Sequence, residues 1–121
     1  MVSPVEPTRA RNLADVINDR FGLATEAAEV RFGLQLGTSV GTVLRPDPRR
    51  LAAIIVNLSG GSIHVGPSRA VSATRGIRIP ASGGSLQLIW DEDFDVVGWE
   101  WYGIADLAAS DVYTLEIAAR P

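Results

Sequence analysis

The pattern of apolar and polar positions changes once along this chain, close to residue 29. Before that point, apolar residues recur at the spacing of one helix face, with charged residues on the other faces. These apolar residues are Leu13, Val16, Ile17 and Phe21. The spacing predicts an amphipathic α-helix over residues 8–21 that ends near Gly22, within an N-terminal arm of residues 1–29.

After residue 29 the apolar positions alternate with period two, and glycine, proline, serine or aspartate follows each short run. The run 51–58 is apolar on both faces, which predicts a central strand, and Ser59-Gly60-Gly61 predicts a hairpin over 51–66. The pattern indicates a mainly β fold: an antiparallel β-sandwich, jelly-roll-like, of seven or eight short strands in residues 30–121. The expected strands are 30–36, 40–44, 51–58, 63–65, 77–79, 85–90, 98–104 and 112–118.

Composition narrows the function classes. The chain has 121 residues, 46% of them apolar, which fits one domain with a sizeable core. It has no cysteine, so disulfides and thiolate zinc sites are excluded. No apolar run approaches a membrane span, and the N-terminus lacks the pattern of a signal peptide. His64 is the one histidine, no nucleophile motif accompanies it, and we therefore expect neither an enzyme nor a cofactor.

Charge is unevenly distributed along the chain. All eleven basic residues are arginine, which either coding bias or a demand for guanidinium groups would explain. Residues 1–90 carry a net charge of +4 and residues 91–121 a net charge of −7. The overall charge of −3 argues against general nucleic-acid binding. Two interpretations stay open: copies pack head to tail, or the acids only solubilise a loop.

Alternating carboxylates make residues 91–95 a candidate site. Asp91, Asp93 and Asp95 have the spacing of the first half of a calcium loop. Val96 stands where that loop needs glycine, and Tyr102 where it needs glutamate. The sequence therefore favours a solvated acidic loop over a metal site, with a surface for an arginine-bearing partner as a further alternative.

The aromatic residues near the C-terminal third form a second candidate site. On a strand, Trp99 and Trp101 would share one face, with Tyr102 on the other. Such a face can fill the core, anchor another subunit or stack on a sugar. All three interpretations remain open.

Arg49 and Arg50 precede the expected central strand, where a guanidinium can pair with carboxylates or backbone carbonyls. Nucleic-acid contact through Arg45, Arg49 and Arg50 is disfavoured, because no aromatic residues are interleaved and Asp47 lies among them. The predicted helix either covers the sandwich or docks on another subunit.

Short segments between residues 39 and 117 resemble small β-sandwich proteins found among the structural genes of tailed bacteriophages. The order and spacing of these segments carry the resemblance more than any one of them does. They are Val40-Gly41-Thr42, Pro46-Asp47-Pro48-Arg49-Arg50, Ala53-Ile54-Ile55-Val56-Asn57-Leu58-Ser59, Ile63-His64-Val65-Gly66, Val71-Ser72-Ala73-Thr74-Arg75-Gly76-Ile77, Gly83-Gly84-Ser85-Leu86, Tyr102-Gly103-Ile104-Ala105 and Val112-Tyr113-Thr114-Leu115-Glu116-Ile117.

The resemblance implies a virion structural protein of the capsid decoration, vertex or fibre-associated type. Such a protein would be located in the virion, after assembly in the host cytoplasm, and would bind the major capsid protein, other virion proteins and its own copies. A trimer or pentamer is expected, with no nucleic-acid or membrane partner. The alternative is a carbohydrate-binding module of a tail fibre. The expected contact residues are Leu13, Val16, Ile17, Phe21, Arg49, Arg50, Asp91, Asp93, Asp95, Trp99 and Trp101.

Overall fold

The computed structural model describes residues 25–29 and 33–119. The predicted helix, with Leu13, Val16, Ile17 and Phe21, lies outside the described residues. Two short helical segments, α1 (Trp90–Asp93) and a 3₁₀ helix (Phe94–Gly98), follow one another between strands. The strands are β1 (Thr25–Ala28), β2 (Gln35–Leu36), β3 (Gly41–Leu44), β4 (Arg50–Asn57), β5 (Ile63–Gly66), β6 (Ile77–Ile79), β7 (Ser85–Ile89), β8 (Trp101–Ala105) and β9 (Ser110–Ala119).

These strands form two antiparallel sheets. The larger sheet has the order β1-β9-β4-β7, and β2 pairs with β9 farther along the same edge. The smaller sheet has the order β3-β8-β5-β6. The prediction of a mainly β fold with two antiparallel layers is therefore confirmed. β4 lies between β9 and β7, which also confirms that residues 51–58 supply a central strand.

The core lies between the two sheets and follows from period-two alternation. In β4 the side chains of Ala53 and Ile55 are buried, whereas those of Ile54 and Val56 are only half-buried. Residues of both sheets belong to one apolar cluster, with Ile55 on one side and Ile63 on the other. Cutting a fully buried isoleucine to alanine in such a core costs about 2–5 kcal/mol.

The expected hairpin over 51–66 is wrong, because β4 belongs to the larger sheet and β5 to the smaller one. Asn57 secures the change of sheet. Its buried amide nitrogen donates to the carbonyls of Gly61, Ile79 and Pro80 at 2.8, 3.0 and 3.1 Å. Its amide oxygen accepts from the backbone and hydroxyl of Ser59 at 2.9 and 2.7 Å. The turn at Ser59-Gly60-Gly61 therefore connects the two sheets and does not join adjacent strands of one sheet.

Several boundaries also differ from those expected, and the expected strand 98–104 begins only at Trp101. The larger sheet begins before residue 30, since β1 lies inside the segment assigned to the arm and pairs with β9 from Thr25 onward. Of the expected strand 30–36, Gln35–Leu36 pairs as a strand, and residues 30–32 lie outside the described residues. The expected acidic loop 91–95 is helical, because α1 and the 3₁₀ helix run through it.

Candidate binding cleft

An open cleft of about 820 Å³ lies where several connecting segments meet. One side comes from the β3–β4 connection and the start of β4, and another from α1, the 3₁₀ helix and the residues before β8. Aromatic rings and prolines dominate its lining, together with two carboxylates. The lining residues are Pro46, Pro48, Arg50, Leu51, Pro67, Trp90, Phe94, Asp95, Gly98, Trp99, Glu100 and Tyr102.

Two of these rings are unusually open to solvent. Phe94 is 75% exposed and Trp99 is 49% exposed. Phe94 also has a backbone φ of 56° and ψ of −137°, a conformation that favours glycine over a residue with a side chain. A bulky residue held in that conformation stores about 1–3 kcal/mol of strain. The fold therefore presents the Phe94 ring to solvent at an energetic cost.

Trp99 and Trp101 do not share one strand face. Trp99 follows the 3₁₀ helix and precedes β8, and its backbone nitrogen donates to Val96. Trp101 is 3% exposed and belongs to the core, and its Nε1 donates to the carbonyl oxygen of Val96 at 2.9 Å. The prediction that Trp101 is a surface contact residue is therefore wrong, whereas Trp99 remains a predicted contact residue.

Arg50 lies beneath the cleft and fixes three of its segments. Its Nε donates to Oε1 of Glu116 at 2.6 Å, and both side chains are almost fully buried. Its Nη1 donates to the carbonyls of Val97 and Trp99 at 2.9 and 3.1 Å, and its Nη2 donates to the carbonyl of Arg45. One guanidinium therefore joins the β3–β4 connection and the 3₁₀ helix to β9.

This geometry confirms that Arg50 pairs with a carboxylate and with backbone carbonyls. A guanidinium with these partners is not available to bind another protein. The prediction that Arg50 is a surface contact residue is therefore wrong, and Arg50 instead positions the segments around it. Arg49, its neighbour, is exposed. No local pattern indicates the ion pair, because Glu116 lies 66 positions away.

Glu100 and Tyr102 form a polar group on the cleft lining. Tyr102 Oη donates to Oε1 of Glu100 at 3.0 Å, and Thr42 Oγ1 donates to Oε2 at 2.9 Å. The hydrogen bond to the Glu100 carboxylate raises the pKa of Tyr102 above its ordinary value of 10.0, and desolvation adds to the effect. The Arg69 guanidinium lies over the Tyr102 ring, 5.0 Å from its centroid. Ring and carboxylate are therefore held in place before any ligand arrives.

The three aspartates have different surroundings. Asp91 and Asp95 are exposed, and Asp95 lines the cleft. Asp93 is half-buried, and its Oδ2 accepts from the backbone nitrogen of Ile89 at 2.8 Å. Within residues 25–29 and 33–119, no three histidine, cysteine or acidic residues come together as a set of metal ligands. Asp95 thus places negative charge at the cleft, next to the exposed rings.

His64 lies in β5, away from this cleft. Its cross-strand neighbours are Arg78 on β6 and Ile104 on β8. Neither neighbour is a carboxylate or a hydroxyl, which are the groups that orient a histidine for acid–base chemistry. The described surroundings of His64 therefore give it no visible chemical role.

Sequence reasoning missed Phe94 and the three prolines that line the cleft. The sequence pattern predicts loops at Pro46, Pro48 and Pro67, and loops border binding sites more often than strands do. No sequence pattern indicated that Phe94 is exposed at the cleft, because a single phenylalanine in an acidic segment is normally interpreted as a core residue. Phe94 is the first residue of the 3₁₀ helix and directly follows α1, and it has a positive φ at this junction.

Among the described residues, no helix is both long and apolar enough to cross a membrane. Comparison with known proteins gives no match to the chain among family models, curated proteins or solved structures. The resemblance to phage virion proteins therefore stays a prediction from the sequence.

Proposed function

We propose that this protein is a non-enzymatic structural component of a bacteriophage particle, of the capsid decoration or vertex type, which binds the capsid and its own copies. The aromatic cleft is the observation that supports a binding role. The segments between residues 39 and 117 support the assignment to a virion. The binding role of the cleft and the presence of the chain in the virion require separate experiments.

The strand order supports a finer description of the fold as a jelly roll. Counted as one interrupted edge strand, β1 and β2 give eight strands, whose sheet orders become 1-8-3-6 and 2-7-4-5. These are the orders of a jelly roll, a fold used by viral capsid proteins and by lectins. Because one fold serves both classes, the site and not the fold has to decide between them.

The composition of the cleft supports protein binding. Exposed tryptophan and phenylalanine side chains are enriched at the centres of protein interfaces, where they contribute much of the binding free energy. Phe94 and Trp99 project such surface beside Pro46 and Pro48, which are rigid in the free protein. Because the prolines are already rigid, the cleft loses less conformational entropy when a partner docks.

Charge indicates the chemistry of the partner surface. Asp95 lies in the cleft and Asp91 is exposed on the preceding helical segment. The arginines are concentrated in residues 1–90 and the acids in residues 91–121. A partner that presents arginine beside an apolar side chain would complement this cleft, and a second copy of the chain offers such arginines. Electrostatic complementarity of this kind raises the association rate and fixes orientation.

The virion assignment is tested on particles. Particles purified on a density gradient from induced cultures of the source strain should contain this chain, in a fixed ratio to the major capsid protein, by quantitative mass spectrometry. Its absence from those particles would overturn the virion assignment, whatever the cleft binds.

The binding role is tested on particles stripped of the chain, which should rebind the purified wild-type protein. Trp99→Ala should weaken rebinding by about tenfold or more, since a central aromatic contact contributes upwards of about 1.4 kcal/mol. Leu107→Ala is the matched control, because Leu107 is 52% exposed and does not line the cleft. Equal affinity of the Trp99 variant and the wild type would exclude the cleft as the contact.

A carbohydrate-binding module is the second candidate, and one observation favours it. The cleft combines open rings with carboxylates, and sugars stack on rings while their hydroxyls donate to carboxylates. Titration with a glycan panel, followed by tryptophan fluorescence, separates the candidates. Saturable quenching that is lost in Trp99→Ala would favour sugar binding over capsid binding.

A further inference from the structure

The outward face of the larger sheet is apolar, although the outer face of an antiparallel sheet is usually polar. Its central positions belong to β4 and β9, where Ile54 pairs with Leu115 and Val56 pairs with Tyr113. Ile54, Val56 and Leu115 are half-buried and point away from the core side of the sandwich. A sheet with this outer face needs something to cover it.

The apolar residues extend across the whole width of this sheet. At one end of the face, the strand pairing places Ala27, Ile117, Ala52 and Ile89 in one row across four strands. A shallow groove of about 160 Å³ lies on this face, and β4, β7 and β9 line it. The row begins at β1, so the apolar face reaches the strand by which the chain enters the sheet.

The position of β1 indicates which segment covers the face. Thr25 begins β1 at the sheet edge, opposite Ala119 at the end of β9. Residues 1–24 precede that point, and the sequence predicts an amphipathic helix over residues 8–21. A helix of that length is about 21 Å long, whereas four strands span about 14 Å between outer axes. Residues 22–24 reach at most about 10 Å, which keeps the end of the helix beside β1.

We propose that residues 8–21 form a helix that lies across the outer face of the larger sheet of the same molecule. Leu13, Ile17 and Phe21 would then pack on Ile54 and Ile117, and Asp15 and Asp19 would face solvent. This inference is independent of the proposed function. It assigns the N-terminal segment to the stability of the domain and not to contact with a capsid.

Docking within one molecule is favoured over docking on a second copy. The three-residue connection gives the helix an effective concentration in the millimolar range at its own sheet, far above a typical protein concentration. It also begins at the edge of the same apolar face, so no long excursion of the chain is needed. The amphipathic segment and the face that needs cover are thus joined covalently at their shared border.

The test uses the absence of cysteine in the full chain, which makes paired cysteine substitutions unambiguous. Gln87 is exposed and pairs with Ile54 from the adjacent strand, so Gln87→Cys places a thiol on the face without removing core packing. Combined with Ile17→Cys and a short bismaleimide, it should give a cross-linked monomer. The matched control combines Gln87→Cys with Asp15→Cys, on the opposite side of the predicted helix, and should react several-fold less.

Gel electrophoresis after denaturation reads the result. A covalent dimer as the main product would overturn the proposal in favour of exchange between copies. Equal reaction of the Ile17 and Asp15 pairs, or none in either, would also overturn it. Ala14→Cys, one turn before Ile17 and without loss of an apolar side chain, serves as a second pair if the Ile17 variant folds poorly.

Discussion

Arg50 and Glu116 form an ion pair at 2.6 Å in the interior of the sandwich, with almost no solvent contact for either side chain. The same guanidinium donates to the carbonyls of Val97 and Trp99. A buried charge whose three guanidinium nitrogens all donate hydrogen bonds is stable only while its partners stay in place. The position of the cleft segments therefore depends on one arginine that is almost fully buried.

The first prediction concerns the shape of that cation. Arg50→Lys keeps the charge but loses the planar fork, so it cannot satisfy Glu116 and three carbonyls together. We expect the free energy of unfolding to fall by about 3 kcal/mol in urea denaturation. Arg49→Lys is the matched control at an exposed neighbouring position and should change it by less than about 0.5 kcal/mol. Equal effects of the two substitutions would contradict the role assigned to Arg50.

The second prediction concerns the strained residue in the cleft. Phe94→Gly relieves a φ of 56° and should raise the free energy of unfolding by about 1 kcal/mol, because glycine adopts that conformation freely. The same substitution should weaken binding at the cleft, since it removes a ring that is 75% exposed.

Ala109→Gly provides the comparison for Phe94→Gly. Ala109 has a φ of 53° and does not line the cleft, so this change should stabilise the fold and leave binding unaltered. Thermal unfolding measures the stability of both variants. A loss of stability in Phe94→Gly would mean that the ring contributes more to the fold than its exposure indicates.

The third prediction concerns the close approach of two cleft segments at Gly98. A Cβ at this position would lie 2.8 Å from the carbonyl oxygen of Asp47, whose backbone nitrogen donates to the carbonyl of Gly98 at 2.9 Å. Gly98→Ala should therefore push the β3–β4 connection outward and lower the free energy of unfolding by about 1–3 kcal/mol. Gly60→Ala, at a position with open space around it, should cost less. Urea denaturation of both variants checks the difference.

The fourth prediction concerns the pKa of Tyr102. Glu100→Gln replaces the carboxylate whose hydrogen bond to Tyr102, together with its charge, raises this pKa, so the pKa should fall towards 10.0 in a titration of tyrosinate absorbance. The background Tyr113→Phe isolates the signal, because the chain has two tyrosines. In the converse background, Tyr102→Phe, the pKa of Tyr113 should not respond, since a hydrogen bond to Glu29 is what raises it.

The raised pKa values of Tyr102 and Tyr113 also determine the direction in which the free energy of unfolding changes with pH. Both tyrosines hold their proton more tightly in the folded state than in the unfolded chain. Their contribution to the free energy of unfolding is therefore fully present below about pH 10 and is lost as the pH rises through the folded pKa. An unchanged denaturation midpoint across that range would contradict both assignments.

Local pattern sufficed for some parts of the fold. The double-sided apolar character of residues 51–58 indicated a central strand, and β4 does lie between β7 and β9, although its outer face is only half-buried. Strand 77–79 and the inward side of strand 85–90 also followed from period-two spacing. Local pattern did not show which sheet a strand joins, because Ser59-Gly60-Gly61 suits a hairpin and a change of layer equally well.

The cleft depends on relationships that local pattern does not contain. Arg50 and Glu116 meet only after β4 and β9 have paired. The different environments of Trp99 and Trp101 depend on where the 3₁₀ helix ends, because Trp99 precedes β8 and Trp101 lies within it. Phe94 is exposed where α1 meets the 3₁₀ helix, and its positive φ has no signal in the sequence. Each of these features is set by tertiary structure.

The anchor of the cleft and its rim are separate parts of the molecule. Phe94, Trp99 and the prolines lie on connecting segments, while the cation that holds those segments is enclosed in the interior. Arg50 holds these segments through backbone carbonyls, so selection can change the side chains of the rim without rebuilding the scaffold. Related chains would therefore diversify at these few rim positions and retain Arg50 and Glu116.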